Sequence, residues 1–469
     1  MEESAGKYDE NREIDVHVSR FEEMLKKNEE YFFDVEVFES LVNYYIERSN
    51  FSKAVTALKI ANSQHPNSSL LLLRKAQIYA STGRLNKGLV ILQKVESLDP
   101  FNEEVFLTKA NIYSQQRKHD EAIKNYKIAI ELSDEFVDDI YLDLAFEYEN
   151  CEKYDEAIEC LHNALSISKE NESALYELAY CYDLAGKVEE SIQYYQNFID
   201  VHPYSFTAWY NLGNSYSKLN LYEKAIEAFD FCIVIQDNFA SAYFNKANSL
   251  VQLEKFNEAI AAYRETFEHE DPQAITYSYL GECYEKLEQY EEAIENYKKA
   301  IEVEPNLGDA WLGLGIVNDC QNNLSEGINY IQKAVEIAGD NAEYWYVYAE
   351  ALEKLERFED ANIAYCKVIE LSPENIEVWL DLSNLLLEND SEDSALQAVR
   401  EGLKLFPTEA SLIYRECSYL FMSGKQSEAI IRLEEALQLN YEEHSKFLKY
   451  YPESRFIDAV LDLIELYKK

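Results

Sequence analysis

Aromatic rings, side-chain amides and carboxylates return in this sequence at a fixed interval. Tyr176, Tyr210 and Phe244 stand 34 residues apart, and Tyr346 continues the same phase. Asn211 and Asn214 come back 34 residues later as Asn245 and Asn248. Glu282, Glu285 and Glu350 add carboxylates to the series. An exposed aromatic ring supplies a large contact area at modest entropy cost. A primary amide carries both donors and an acceptor, so it can hold a peptide main chain whatever its sequence. Carboxylates attract Lys and Arg, and arginine also stacks on tyrosine. All of this is chemistry for holding a partner, and none of it makes or breaks bonds.

The signatures of bond-making chemistry are missing. The chain has no GxxxxGK[ST], HExxH or GxSxG pattern. Gly313-Leu314-Gly315 has the look of a nucleotide-loop fragment, but both glycines sit at helical packing positions. The seven histidines are scattered, and His65 and His202 each precede a proline, which makes them turn residues. Acidic pairs such as Glu189-Glu190 and Glu291-Glu292 read as solvated helix faces in so acidic a chain. The eight cysteines are dispersed with no CxxC, the pattern of reduced core thiols. The expectation is a protein that is not an enzyme and takes no metal or cofactor.

Composition narrows the partner. With 469 residues, 47 % of them hydrophobic, the chain can build a continuous core. A net charge of −45 excludes a nucleic acid, whose phosphates need a basic surface, and an anionic membrane surface. No apolar stretch is long enough to span a membrane, and the acidic start has no signal-peptide core. The expected location is the cytoplasm. The expected partner is a protein or peptide, basic or neutral.

The elements that position these side chains are set by the period. Ala274–Leu307 reads as two amphipathic helices: Tyr277, Leu280, Gly281 and Tyr284 mark one, and Tyr290, Ala293, Ile294, Tyr297, Ala300 and Ile301 the other. Pro305 ends the second. The unit recurs from 35, 69, 103, 138, 172, 206, 240, 274, 308, 342, 376 and 410, with one extra residue in the acidic turn around Ser133–Asp138. Position 20 of the unit is always small, from Ala54 and Gly88 through Ser191 to Ala429. All four tryptophans, Trp209, Trp311, Trp345 and Trp379, fall at position 4. Gly83, Gly186 and Gly424 fall at position 15, between the paired helices.

Large residues at positions 4, 7, 11 and 24, small ones at 8, 20 and 27, and proline at 32 resemble the tetratricopeptide repeat family. The resemblance implies an all-α fold, a right-handed superhelical α-solenoid whose first helices line a concave groove. It also implies that positions 2, 5, 9, 12 and 13 face that groove, where 16 acidic side chains stand against three basic ones. The asparagines at positions 6 and 9 resemble those of long arrays that grip a peptide backbone. The lysine of the chaperone-binding subclass is replaced by Glu39, so acidic tails would be repelled at that end. The expected groove residues are therefore Tyr176, Tyr210, Asn211, Asn214, Phe244, Asn245, Asn248, Glu282, Glu285, Tyr346 and Glu350. The implied function is a scaffold or adaptor. Two alternatives stay open: a subunit recruiting substrate to a separate enzyme, and a self-associating structural array.

The ends depart from the period. Residues 1–34 read as a disordered start over 1–14 and a capping helix over 15–33, with Phe21, Met24 and Leu25 on its apolar side. Twelve repeats fill 35–443, and 444–469 reads as a C-terminal cap, helical over Pro452–Tyr467, with a stripe of Phe456, Val460, Leu463, Ile464 and Tyr467. Within the repeats, Asn318 at position 11, Gly402 at position 27 and Glu416 at position 7 break the pattern, and Glu416 puts the core of the last repeat in doubt.

Overall fold

Small polar residues open several of the first helices, and tight turns separate the helices of a pair. The computed structural model describes residues 2–133, 137–169 and 171–468, with the side chains of residues 2–13 outside the description. The chain divides into two units, Met1–Asp237 and Asn238–Lys469. The first unit holds α1 (Glu2–Lys27) and six helix pairs. These are α2 (Val35–Glu47) with α3 (Phe51–Gln64), α4 (Ser69–Ser81) with α5 (Leu85–Leu98), and α6 (Glu103–Gln115) with α7 (His119–Leu132). They continue as α8 (Val137–Glu149) with α9 (Tyr154–Ile167), α10 (Glu172–Leu184) with α11 (Val188–Val201), and α12 (Phe206–Lys218) with α13 (Tyr222–Ile235).

The second unit repeats the plan. Its pairs are α14 (Ala240–Gln252) with α15 (Phe256–His269), α16 (Ala274–Lys286) with α17 (Tyr290–Val303), and α18 (Gly308–Cys320) with α19 (Leu324–Ile337). Then come α20 (Ala342–Lys354) with α21 (Phe358–Leu371), α22 (Ile376–Asn389) with α23 (Glu392–Leu405), and α24 (Ala410–Met422) with α25 (Gln426–Leu439). Two short helices, α26 (His444–Tyr450) and α27 (Asp458–Tyr467), follow. The fold is an all-α solenoid of tandem helix pairs. No described helix is long and apolar enough to cross a membrane.

Local chemistry explains the punctuation. Ser68, Asn171 and Ser205 cap first helices by accepting the amide of the residue three places on. Each tryptophan at position 4 donates its indole N–H to the carbonyl six residues back, as Trp209 does to Pro203 at 2.9 Å. That bond pins the loop entering the helix. Position 15 adopts a left-handed backbone in every repeat except the one beginning at 376: Gly83, Gly186 and Gly424 at φ +72°, +67° and +74°, but also Glu152, Glu254, Glu288 and Glu356 at about +57°. The turn geometry is imposed by packing even where the residue is not glycine.

Small residues let the helices touch. A Cβ on Gly327 would lie 2.8 Å from the carbonyl oxygen of Gly315, so α18 and α19 meet backbone to backbone. Gly281 and Gly313 flank the buried Tyr297 ring, and a Cβ on either would come within 2.7 and 2.2 Å of it. One large ring thus keys a repeat to the next.

The ends differ from the sequence reading. Helix α1 runs from Glu2, where disorder was expected over 1–14, and stops at Lys27 instead of 33. Asn28, at φ +54°, breaks it. Phe21 and Met24 are buried as expected, whereas Leu25 is exposed. At the C-terminus the expected single helix over Pro452–Tyr467 is split, because Pro452–Phe456 forms a short 3-10 turn before α27. The change of phase leaves Phe456 exposed while Val460 and Ile464 are buried. Helix α26 was not foreseen. Its buried Phe447 packs near Tyr414 and Phe421 at ring separations of 6.0 and 6.3 Å. Helix α8 begins at Val137, one residue before the expected 138, and most of the acidic turn before it lies outside the described residues.

The last repeat is well packed. Glu416, the suspected flaw, is 4 % exposed. Its carboxylate accepts from Arg400 Nε at 2.7 Å and Arg432 Nε at 2.6 Å, so the buried charge is paired on both sides. Five of the eight cysteines are buried thiols, but Cys320 and Cys366 are exposed, contrary to the core assignment.

Candidate functional site

The first helices of successive pairs lie side by side, and side chains about one repeat apart meet across them. In the first unit Arg74 bonds Glu39 and Glu104, each at 2.7 Å. In the second, Lys354 meets Asp319 at 2.5 Å, Tyr344 meets Asp309 and Tyr346 meets Asp381. These contacts tie α2, α4 and α6 in the first unit, and α18, α20 and α22 in the second, through polar side chains of first helices.

The expected site residues divide by environment. Tyr176 and Tyr210 are half-buried, with rings 6.3 Å apart edge to face. Phe244 is half-buried between Tyr263 and Tyr279, at 5.6 and 5.8 Å. Asn214, Asn245 and Asn248 are half-buried. Asn211 is not at the surface: it is 2 % exposed, and its amide donates to the Leu175 carbonyl at 3.0 Å and to the Tyr195 hydroxyl at 3.3 Å. Asn211 holds two repeats together, which corrects its assignment to the groove. Asn248 accepts from the Tyr263 hydroxyl at 2.5 Å, so that oxygen is engaged in the fold.

Position 24 explains the arrangement. Except for Tyr195, whose hydroxyl stays in the interior on the Leu175 carbonyl, its buried tyrosines bond side chains of first helices. Tyr126 reaches Asn111, Tyr297 reaches Glu285 at 2.9 Å, and Tyr365 reaches Glu353 at 2.9 Å. With Tyr344 on Asp309 and Tyr346 on Asp381, four carboxylates of the second unit are each oriented by a tyrosine. Burial raises the Glu285 carboxyl above the usual carboxylate value, while the Tyr297 hydroxyl and Lys286 oppose the shift and Glu282 adds to it. Glu350 and Glu353 are likewise raised, first by desolvation, with Lys354 opposing at Glu350, Tyr365 opposing at Glu353 and Asp381 adding repulsion at both.

The two units carry different balances. In the first, Glu39 and Glu104 share the single cation Arg74, and Asp183 is paired with Lys218. A cleft of about 370 Å³ there is lined by the Arg74–Glu104 pair, by Gln77, Ser81, Thr108, Asn111 and Gln115, and by the apolar Ala80 and Leu107. Glu149 shares a hydrogen bond with Glu177, and burial first, then that bond, raises its carboxyl. The second unit keeps a net acidic surface around Glu282, Glu285, Glu350, Glu353 and Asp381. Sequence reasoning missed Arg74, Glu177 and Asp381. All three stand at position 6, which the expected groove includes only through Asn211 and Asn245, although polar residues recur there.

The repeats are those of a known family. Sequence models of the tetratricopeptide repeat match residues 206–239 and 274–307, residues 152–197, and residues 103–136, 240–267 and 342–375. The chain is a tetratricopeptide-repeat protein. The BBSome complex member bbs-4 of Caenorhabditis elegans is 29 % identical over 87 residues, 19 % of this chain and 19 % of that relative's length. Among solved structures, the APC/C hetero-tetramer Cut9–Hcn1 is 15 % identical, covering 82 % of this chain and 90 % of that one at a TM-score of 0.43. YrrB, described as a TPR protein with an unusual peptide-binding site, is 21 % identical over 39 % of this chain and 95 % of its own, at a TM-score of 0.32.

Proposed function

We propose that the protein is a non-catalytic scaffold or adaptor in the cytoplasm, whose first-helix face binds a segment of a partner protein. The acidic stretch of the second unit selects a basic segment, and the amide-lined cleft of the first unit suits a neutral one. The observation that carries this reading is the set of carboxylates at Glu285, Asp309, Glu353 and Asp381, each held by a tyrosine hydroxyl. A carboxylate that has accepted one hydroxyl keeps lone pairs for an incoming ammonium or guanidinium, and its orientation is already fixed. The reading includes a leading cap over 1–34, twelve repeats over 35–443 and a C-terminal cap over 444–469.

The test is affinity capture from native lysate with the wild-type chain and with the triple variant E350Q/E353Q/D381N, washed at rising salt. The expected result is a basic partner that wild type holds at low salt and releases at high salt, and that the variant fails to capture. A partner set identical for the two chains would overturn the acidic-face reading. Recovery of the bait alone from both would favour self-association instead. In the first unit, Y210A/N214A is expected to weaken capture without unfolding the array.

A further inference from the structure

Helices α11, α12 and α13 border a cleft of about 550 Å³. Trp209, Leu212 and Tyr216 of α12 line it together with Asp200 of α11 and Glu227 and Phe231 of α13. The Trp209 and Phe231 rings are stacked, 4.5 Å apart and inclined by 24°. Phe231 remains 52 % exposed despite that contact. Two of these rings are tied to their surroundings: the Trp209 indole donates to the Pro203 carbonyl, and Gln196 donates to the Tyr216 hydroxyl at 2.7 Å. Val201, Tyr204 and Val234, on the same helices and the loop between α11 and α12, are 67, 84 and 81 % exposed.

One repeat of the second unit shows a cation at the equivalent place. In the repeat beginning at 274, Lys299 at position 26 lies 5.9 Å from the centre of the Tyr277 ring at position 4. The same ammonium pairs with Glu295 at position 22, at 2.6 Å. The repeat beginning at 206 keeps two of these three parts. Trp209 replaces Tyr277 at position 4, and Glu227 replaces Glu295 at position 22. Position 26 is Phe231, so the cation is missing and a second ring extends the aromatic surface. Among the described residues neither Glu227 nor Asp200 forms an ion pair, and the one lysine lining the cleft, Lys224, is directed at Tyr216, 5.5 Å from its ring centre.

We propose that this cleft is a second protein-docking site, which takes an arginine or lysine side chain of a partner protein, laid on the Trp209–Phe231 pair and paired with Glu227 and Asp200. The partner supplies in trans the cation that Lys299 supplies in cis two repeats later. Aromatic faces attract cations, and two carboxylates without cations fix the sign of the charge that enters. The exposed Val201, Tyr204 and Val234 add apolar contact area around that anchor. The proposal is independent of the first-helix face, which lies on other residues.

The test uses the full chain labelled with 5-fluorotryptophan, in which the Trp209 resonance is assigned from W209F. The probe is an acetylated, amidated helical peptide of leucine, alanine and arginine, with a second version carrying norleucine in place of arginine. The expected result is a saturable shift of the Trp209 resonance with the arginine peptide and none with the norleucine peptide. F231K places the cation in cis at an exposed position, and it is expected to weaken the response about tenfold or more with an unchanged unfolding temperature. E227Q is expected to weaken it by a smaller factor. A Trp209 resonance that stays still, that moves equally with norleucine, or that responds undiminished in F231K would overturn the proposal.

Discussion

Replacing Glu416 gives the sharpest test of the packing argument, because the repeat pattern asks for a large apolar residue there and the structure buries a charge. The carboxylate is 5 % exposed and receives Arg400 at 2.7 Å and Arg432 at 2.6 Å. Hydrogen bonds to a charged group are worth about 1.5–3 kcal/mol each. The arginines are 42 and 24 % exposed, and each keeps another carboxylate, Glu428 and Glu435. Neither is stranded when Glu416 is lost, so the gross figure for two bonds must be discounted for solvent. Glu416→Ala, which also leaves a cavity, is expected to cost about 2–4 kcal/mol, and Glu416→Gln about half as much. Glu416→Leu restores the residue type of the pattern and is expected to fall within about 1 kcal/mol of wild type. Repeat arrays do not unfold as one unit, so the assay is native-state hydrogen exchange of the α24 and α25 amides under mild urea. Protection of α24 in E416A within about 0.5 kcal/mol of wild type would refute the reasoning, as would equal losses in E416L and E416A.

Three further outcomes follow from other parts of the chain. Burial and the shared hydrogen bond with Glu177 raise the Glu149 carboxyl above its ordinary value of 4.5, so the native state keeps a proton that the unfolded state has released. Stability should fall as pH rises from 4.5 through the native value, and E149Q should flatten that slope in thermal unfolding scans between mildly acidic and neutral pH. Gly313→Ala would bring a Cβ within 2.2 Å of the buried Tyr297 ring, and is expected to cost about 2–3 kcal/mol by urea unfolding of the second unit's signal. Glu288 holds φ +58°, so Glu288→Gly is expected to add up to about 1 kcal/mol, whereas Asp390→Gly, at the same repeat position but φ −131°, should add none.

The helices were legible because period, proline and small residues act locally or between adjacent helices. Position 20 is small in every repeat since a larger residue would meet a neighbouring backbone, as Gly327 would meet Gly315. The polar face was less legible because its pairing depends on how consecutive first helices are offset. Arg74 with Glu39, Tyr344 with Asp309, Tyr346 with Asp381 and Lys354 with Asp319 are all separated by 35 residues, one more than the repeat. A reading in columns of 34 sets each residue beside its own repeat position and so misses these partners. It counted Glu39 as a free acid and left Asp381 out. Read at an offset of 35, the neighbours of Glu350 are Gly315 and Leu385, those of Glu353 are Asn318 and Glu388, and those of Glu282 are Ala247 and Val317. None of these is a cation. The offset thus leaves carboxylates without a cation on first helices of both units, Asp143, Glu149 and Glu177 in the first and Glu282, Glu350 and Glu353 in the second, and a basic partner segment would gain by lying along such a run.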